Sequence, residues 1–579
     1  MPPSLPPASS LRTHRSLRTL LASVVVLLAT SILHAQPQPF DIVITGGHIL
    51  DGTGSPWYAS DIGIRSGHIA AIGKLDSQPR RQTIDAHGQI VAPGFIDMLG
   101  QSELNLLVDP RVPSKIFQGI TTEITGEGDS VAPLNAALIA DNQSDYQHLG
   151  ITPDWTTLAQ YFARLERQGI GINFATYVGE TGIRRIVLGE GDVQPTPAQL
   201  DQMRALVRQA MLDGAMGLST SLQYAPAPYA KTAEIAALAT VAAQYGGIYA
   251  THVRSEGDGI LPSLDEAAAI GRQAHTSVEI WHLKAAGHAN WGRMPQIVAR
   301  IDQLRAEGLD IAADTYAYTA WGNPLSAFIP PWAHSGGTDA MLARLKDPAT
   351  RARIRADMLQ THSDQTHSNW DNEWQEISGP QDILITDVGN PTLRPLLGQR
   401  IAQIAAAWHE DPIDALCDLL IRDHADTEAA VFAMSEPDVE LALRQPWVSI
   451  DNDAGGVSPD GILGQQHTHP RAYGTFPRIL RKYVRQQHLL TLPDAIRKFS
   501  ALPAERLRLS DRGVLKLGLA ADIVIFDPAT IQDHATYENP NQLSTGMDFV
   551  LVNGVPVIAN GKMTGALPGH VLRGPGYHP

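Results

Sequence analysis

Between about residues 95 and 500 the chain alternates two patterns that belong to different secondary structures, and few folds accept that alternation over such a length. Short apolar runs, each ending in polar residues, include ITTEITGEG, INFATYVGE, AMGLSTSLQY, GIYATHVRSEG, VEIWHLKAAG, LDIAADTYAY, ILITDV, AVFAMSEP and WVSIDNDAG. Amphipathic stretches such as PAQLDQMRALVRQAMLDG and SLDEAAAIGRQA separate them. Strand–helix alternation sustained over about 400 residues predicts an α/β fold, a (β/α)8 TIM-like barrel. In such a barrel the polar residue ending each strand points into the mouth, where barrel enzymes carry their sites.

The flanks read differently. DIVITGGHILDGTG, DIGIRSGHIAAIGKL and TIDAHGQIVAPG show period-two alternation with glycine-rich turns, and ADIVIFDP and DFVLVNGVPVIANGKM repeat the pattern near the other end. They predict a small β-sandwich domain assembled from both chain ends, residues 40–93 with 505–579, around a barrel at 94–504. The Pro-, Asp- and Gln-rich stretch at about 321–392 is expected to be an insertion or lid after the sixth barrel strand. At the N-terminus Arg12, Arg15 and Arg18 precede the apolar run Leu20–Leu33 and then HAQPQP. That is the layout of a signal peptide, residues 1–35, cut near Ala35, with an uncleaved anchor as the alternative, and it implies a secreted or periplasmic protein with no stable membrane span after processing. The net charge of −16 on 579 residues, with no Lys/Arg-rich run beyond the first twenty, argues against a nucleic-acid partner. The single cysteine, Cys417 in ALCDLLI, permits no intrachain disulfide and is expected in the core.

The chemistry concentrates at the strand ends. ATHVR and EIWHLK place His252 and His282 at the ends of successive strands, where two imidazoles can share one metal ion. TEITGEGDSVAP offers Glu127 as a third ligand in a glycine-flanked turn, with Asp129 as a rival and backbone capping as the plainer role. WVSIDNDAGG supplies Asp451 and Asp453 at the last strand, either a general base or a turn residue. GEGDS and GEGDV lack the lysine and helix start of a phosphate loop, and GLSTSL lacks the paired glycines of a nucleophile elbow.

Taken together, QIVAPGFID, QGITTEITGEGDSVAP, GAMGLSTSLQYAP, YATHVRSEGD, HLKAAGHANWG, ADTYAYTA, FAMSEPDV, HPRAYGTFPRIL, ADIVIFDPATI and VLVNGVPVI make the chain resemble the amidohydrolase superfamily, in its N-acyl-D-amino-acid deacylase (D-aminoacylase) branch, from about residue 40 to 575. The resemblance implies a metal site of His252, His282 and Glu127, the last standing where the family has a bridging cysteine. It implies Asp453 as catalytic aspartate, Arg471 of HTHPR with Lys284 as the grip on a substrate carboxylate, and Tyr224 and Tyr316 as further substrate donors. The family's first-strand His-x-His is missing, its positions being Leu99 and Gln101. In this branch that pair mainly serves a second, weaker metal position, so one Zn2+ per chain is expected.

The reading is a metal-dependent hydrolase that cleaves the amide of N-acyl-D-amino acids or D-residue-containing peptides, small molecules with a free carboxylate. A cyclic amidohydrolase is the first alternative, but such enzymes use a carbamylated lysine and no lysine stands at a mid-barrel strand end. A dipeptidase releasing a C-terminal D-residue would share every contact. A metal-free binding protein would be expected to have lost His252, His282 and Asp453 too. The D preference rests on the resemblance alone, and acyl and side-chain preference, oligomeric state and the roles of Gln101 and His288 are not legible.

Overall fold

The computed structural model describes Met1, Leu5 and residues 38–360 and 370–578. Apart from Met1 and Leu5, the expected export segment lies outside the described residues, as do residues 361–369 of the expected insertion. The fold is mixed α/β.

Both chain ends enter one nine-stranded sheet. Its seam is the antiparallel pairing of Ile90–Pro93 with Ile523–Phe526, in the register Ile523 to Pro93 and Phe526 to Ile90. Alternation along these strands sends Ile42, Ile44, Ile62, Ile64, Ile84, Val91, Ile523 and Ile525 into a common apolar cluster. Two-residue turns set the hairpins. Asn553-Gly554 and Asn560-Gly561 all have positive φ, the combination that a type I′ turn demands and that Asn-Gly supplies at little cost.

Beyond the seam runs a series of eight parallel strands: Phe95–Asp97, Ile120–Thr125, Asn173–Thr176 (resuming at Val178–Gly179), Gly217–Ser221, Ile248–His252, Val278–Ile280, Ile311–Thr315 and Val448–Ile450. The strands are buried along their length, as expected where helices cover a parallel sheet. Hydrogen bonds also join the last strand to the first: Met98 N donates to Ile450 O at 3.4 Å and Asp453 N to Leu99 O at 2.9 Å. Ile96, Met98, Leu99, Ile124, Tyr177, Ile248 and Trp281 pack together inside. The helices between strands are cut to length by their end residues. Pro197–Asp213 starts on a Thr196/Gln199 capping box with Pro197 in its first turn and stops at Gly214, φ 117°.

Two of the runs read as barrel strands are not in the parallel series. Ile383–Asp387 and Glu428–Val431 pair antiparallel with each other and with Trp321–Pro324, as a separate three-stranded sheet. A short buried apolar run looks the same in either sheet, and only its pairing partner tells them apart. The inserted region therefore extends past residue 392 to take in Glu428–Val431, and it follows the seventh parallel strand, Ile311–Thr315, once Phe95–Asp97 is counted. No helix among the described residues is long and apolar enough to cross a membrane.

Candidate active site

The polar strand ends converge on a cavity of about 1120 Å³. Glu127 reaches it from a turn that only glycine can flank. Gly126 and Gly128 have φ of 93° and 64°. A Cβ on Gly126 would lie 2.6 Å from Thr176 Oγ1, and one on Gly128 would overlap Ser221. Packed this closely against two neighbouring strands, the turn drives the Glu127 side chain inward. Its Oε1 lies 3.1 Å from His252 Nδ1 and 3.3 Å from His282 Nε2. Among the described residues these three form the one group of His, Cys, Asp or Glu whose ligating atoms all lie within 4.8 Å of one another. Donors about 2.0–2.2 Å from a tetrahedral zinc stand about 3.4 Å apart, so the spacing and the His2Glu donor set fit that ion.

Second partners fix both rings. His252 Nε2 donates to Gln223 Oε1 at 2.8 Å, leaving Nδ1 to face Glu127. His282 Nδ1 lies 2.9 Å from Glu256 Oε1 and 2.8 Å from Lys284 Nζ, leaving Nε2 to face Glu127. A carboxylate behind a ligating histidine is the usual way to orient the ring. Burial opposes the imidazolium of His282, and so does Lys284, but Glu256, Asp453 and Glu127 prevail and push its pKa up to about 10. Burial would raise Glu127 too, yet its hydrogen bonds to the two rings hold it well below the usual carboxylate range. Without metal the cluster therefore holds a proton that a cation must displace.

Asp453 stands on the next wall. Its Oδ2 forms an ion pair with Arg471, 2.7 Å from Nη1, and its Oδ1 accepts from Gln101 Nε2 at 3.1 Å. Burial raises its pKa above the ordinary value against the pull of the Arg471 guanidinium. Both Asp453 (φ 44°) and His282 (φ 37°) adopt left-handed backbone. Such conformations cost about 1–3 kcal/mol each and are held only where surrounding structure enforces them. The cause at Asp453 is a buried network. Lys115 Nζ donates to Asn452 Oδ1 at 2.8 Å, to Ala454 O at 2.7 Å and to Asp97 Oδ2 at 2.7 Å, and lies 2.9 Å from Glu123 Oε1. Asn452 and Ala454 flank Asp453, so one ammonium ties a side chain before it and a backbone carbonyl after it.

The remaining expected residues take distinct places. Lys284 is buried and paired with Glu256 Oε1 at 2.5 Å. Arg471 is buried and its backbone N donates to His469 Nδ1 at 3.0 Å, which gives the second histidine of HTHPR an orienting role rather than a ligating one. Tyr224 lines the cavity with its ring 5.1 Å from that of His252. Tyr316 sits beneath the cations, its ring centroid 4.9 Å from the Arg471 guanidinium carbon and 5.6 Å from Lys284 Nζ, and its hydroxyl faces Met434 Sδ at 3.8 Å. Asp129 pairs with Arg185 at 3.3 Å. Asp451 is buried, and burial pushes it up to about 7. His288 binds Asp382 at 3.2 Å. Leu99 is enclosed in the interior apolar cluster, so the first strand contributes only Gln101 to the cavity.

Gln223, Glu256 and Lys115 had no assigned role from sequence. Glu256 carried a signal, an acid four residues after His252. Lys115 carried none, because its partners lie as far away as residue 454.

Residues 82–558 match the amidohydrolase family, and the chain belongs to it. Within it, the chain is 34% identical over 537 residues to the N-acyl-D-glutamate deacylase of Alcaligenes xylosoxydans xylosoxydans, spanning 93% of this chain and 97% of that one. The crystal structure of N-acyl-D-glutamate deacylase from Bordetella bronchiseptica, complexed with zinc and a phosphonate mimic of the tetrahedral intermediate, superposes with a TM-score of 0.76 at 34% identity, covering 93% of this chain and all of that one. A D-aminoacylase with a binuclear metal centre, in which one metal activates and the second attenuates, superposes with a TM-score of 0.75 at 31% identity over 92% of this chain and all of that one.

Proposed function

We propose that this protein hydrolyses the amide bond of N-acyl-D-amino acids, using one zinc ion held by Glu127, His252 and His282. The observation that carries the reading is the convergence of those three donors, each oriented from behind, at a cavity that also holds an acidic side chain and two buried cations. The D-configured, N-acylated substrate class is supported by the relatives named for it, and one ion by Leu99 and Gln101 standing where the family has its first-strand histidines. The parallel strands are read as a closed (β/α)8 barrel carrying the site at its mouth, residues 94–504, with the sheet from both chain ends as a second domain. Export to the periplasm or beyond is supported by the sequence pattern of residues 1–35.

Zinc, when bound, supplies Lewis-acid polarisation and lowers the pKa of water. Asp453 accepts the proton of the attacking water. As the water oxygen adds to the acyl carbon and the C–N bond breaks, it returns that proton to the departing amine nitrogen. Arg471 and Lys284, stacked over Tyr316, form the positive wall that receives the substrate α-carboxylate, and this fixes the scissile carbonyl relative to Asp453. Tyr224, kept in its protonated form by burial, donates a hydrogen bond from the His252 side. The test is a panel of N-acetyl-D- and N-acetyl-L-amino acids, with and without a chelator. Turnover of D substrates alone, abolished by chelation and restored by zinc, is expected. Turnover that survives complete metal removal would dismiss the reading.

A further inference from the structure

Between Glu127 and Asp453 stands neither a metal ligand nor a charged group but the side-chain amide of Gln101. Its Nε2 lies 3.1 Å from Glu127 Oε2 and 3.1 Å from Asp453 Oδ1. A primary amide nitrogen carries two N–H groups, so it donates to both carboxylates at once. The orientation is forced: flipping the amide would set its oxygen against two carboxylate oxygens. Each acid is thereby divided between two tasks. Glu127 gives Oε1 to the imidazoles and Oε2 to Gln101, while Asp453 gives Oδ2 to Arg471 and Oδ1 to Gln101. An amide nitrogen has no lone pair to offer a cation, and Leu99 is buried in the interior cluster, so the first strand brings no ligand to this spot.

We infer that Gln101 is a positioning residue, a fixed neutral donor that bridges metal ligand and base and occupies the place where a second cation would otherwise be drawn between two carboxylates. The inference rests on the proposed function, since it assigns Asp453 as base and Glu127 as ligand. It makes the centre mononuclear by construction, in contrast to the binuclear centre of the related D-aminoacylase.

The test is zinc stoichiometry by equilibrium dialysis, paired with steady-state kinetics, on the full chain and two variants. Wild type is expected to saturate at one ion per chain. Gln101→Glu replaces the donor with a third carboxylate and is expected to saturate at two, a readout independent of turnover. Gln101→Met removes both hydrogen bonds with little change of volume. It is expected to keep one ion and a KM within about twofold while kcat falls at least about tenfold, since Asp453 loses its alignment. A wild type that takes two ions, a Gln101→Glu protein that stops at one, or a Gln101→Met protein with unchanged kcat would each overturn the assignment. A wild type that binds no zinc would instead refute the proposed function itself.

Discussion

Lys115→Met isolates the network that holds Asp453. The lysine side chain is fully buried, as are Asp97 and Glu123. Burial alone would strip its proton, but the two carboxylates keep the ammonium charged and its pKa raised. Removing one partner of such a group strands the others, at a cost of about 3–5 kcal/mol. Asn452 Oδ1 and Ala454 O also lose a charged donor, each worth about 1 kcal/mol. The expected destabilisation is therefore about 5–7 kcal/mol near neutral pH, a large part of the stability of an ordinary domain. The penalty should depend on pH. Burial and Glu123 already push Asp97 up to about 7 with the lysine in place. Without the ammonium its folded-state pKa rises further, so the folded variant keeps a proton that the unfolded chain releases, and stability is lost as pH climbs. From pH 7 to 8.5 the gap to wild type should widen by about 2 kcal/mol, one carboxyl shifting over that range. Guanidinium unfolding followed by tryptophan fluorescence at both pH values measures it. A loss below about 1 kcal/mol with no pH dependence would show that the ammonium does not hold the residues on either side of Asp453.

Other consequences are separable. Asp453→Asn should keep its zinc, seen by metal analysis, while kcat falls about a hundredfold or more, as for a lost general base. Arg471→Met removes the main charge opposing the upward shift of Asp453, so the acidic limb of the kcat/KM profile should move to higher pH and KM should rise; an unmoved limb would separate the two groups. Glu256→Gln takes the carboxylate from behind His282 and should weaken zinc binding about 10–100-fold in a competition titration.

What could be read from the sequence was whatever a single segment decides. His252, His282 and Asp453 each end an apolar run, and the glycines around Glu127 announce a turn with no room for side chains, so the donors were visible one by one. What no segment contains is what holds them. Lys115 lies in the short helix Pro113–Ile116 and its partners are on the first and second parallel strands and in the loop after the last. Gln101 looked like a loss because the pattern around it called for histidine, and its use appears only when Glu127 and Asp453 are seen to approach it from two other strands. The strands Ile383–Asp387 and Glu428–Val431 had the right composition for the parallel series but the wrong partners, a difference carried by pairing rather than by residue type.

In the proposed mechanism two imidazoles and the Glu127 carboxylate hold one catalytic ion. Metal analysis of purified wild type, His252→Ala and Glu127→Ala, each assayed on an N-acetyl-D-amino acid, tests it most directly. One zinc per chain in wild type and the loss of both metal and turnover in each variant are expected. Either variant retaining its zinc and its activity would contradict it.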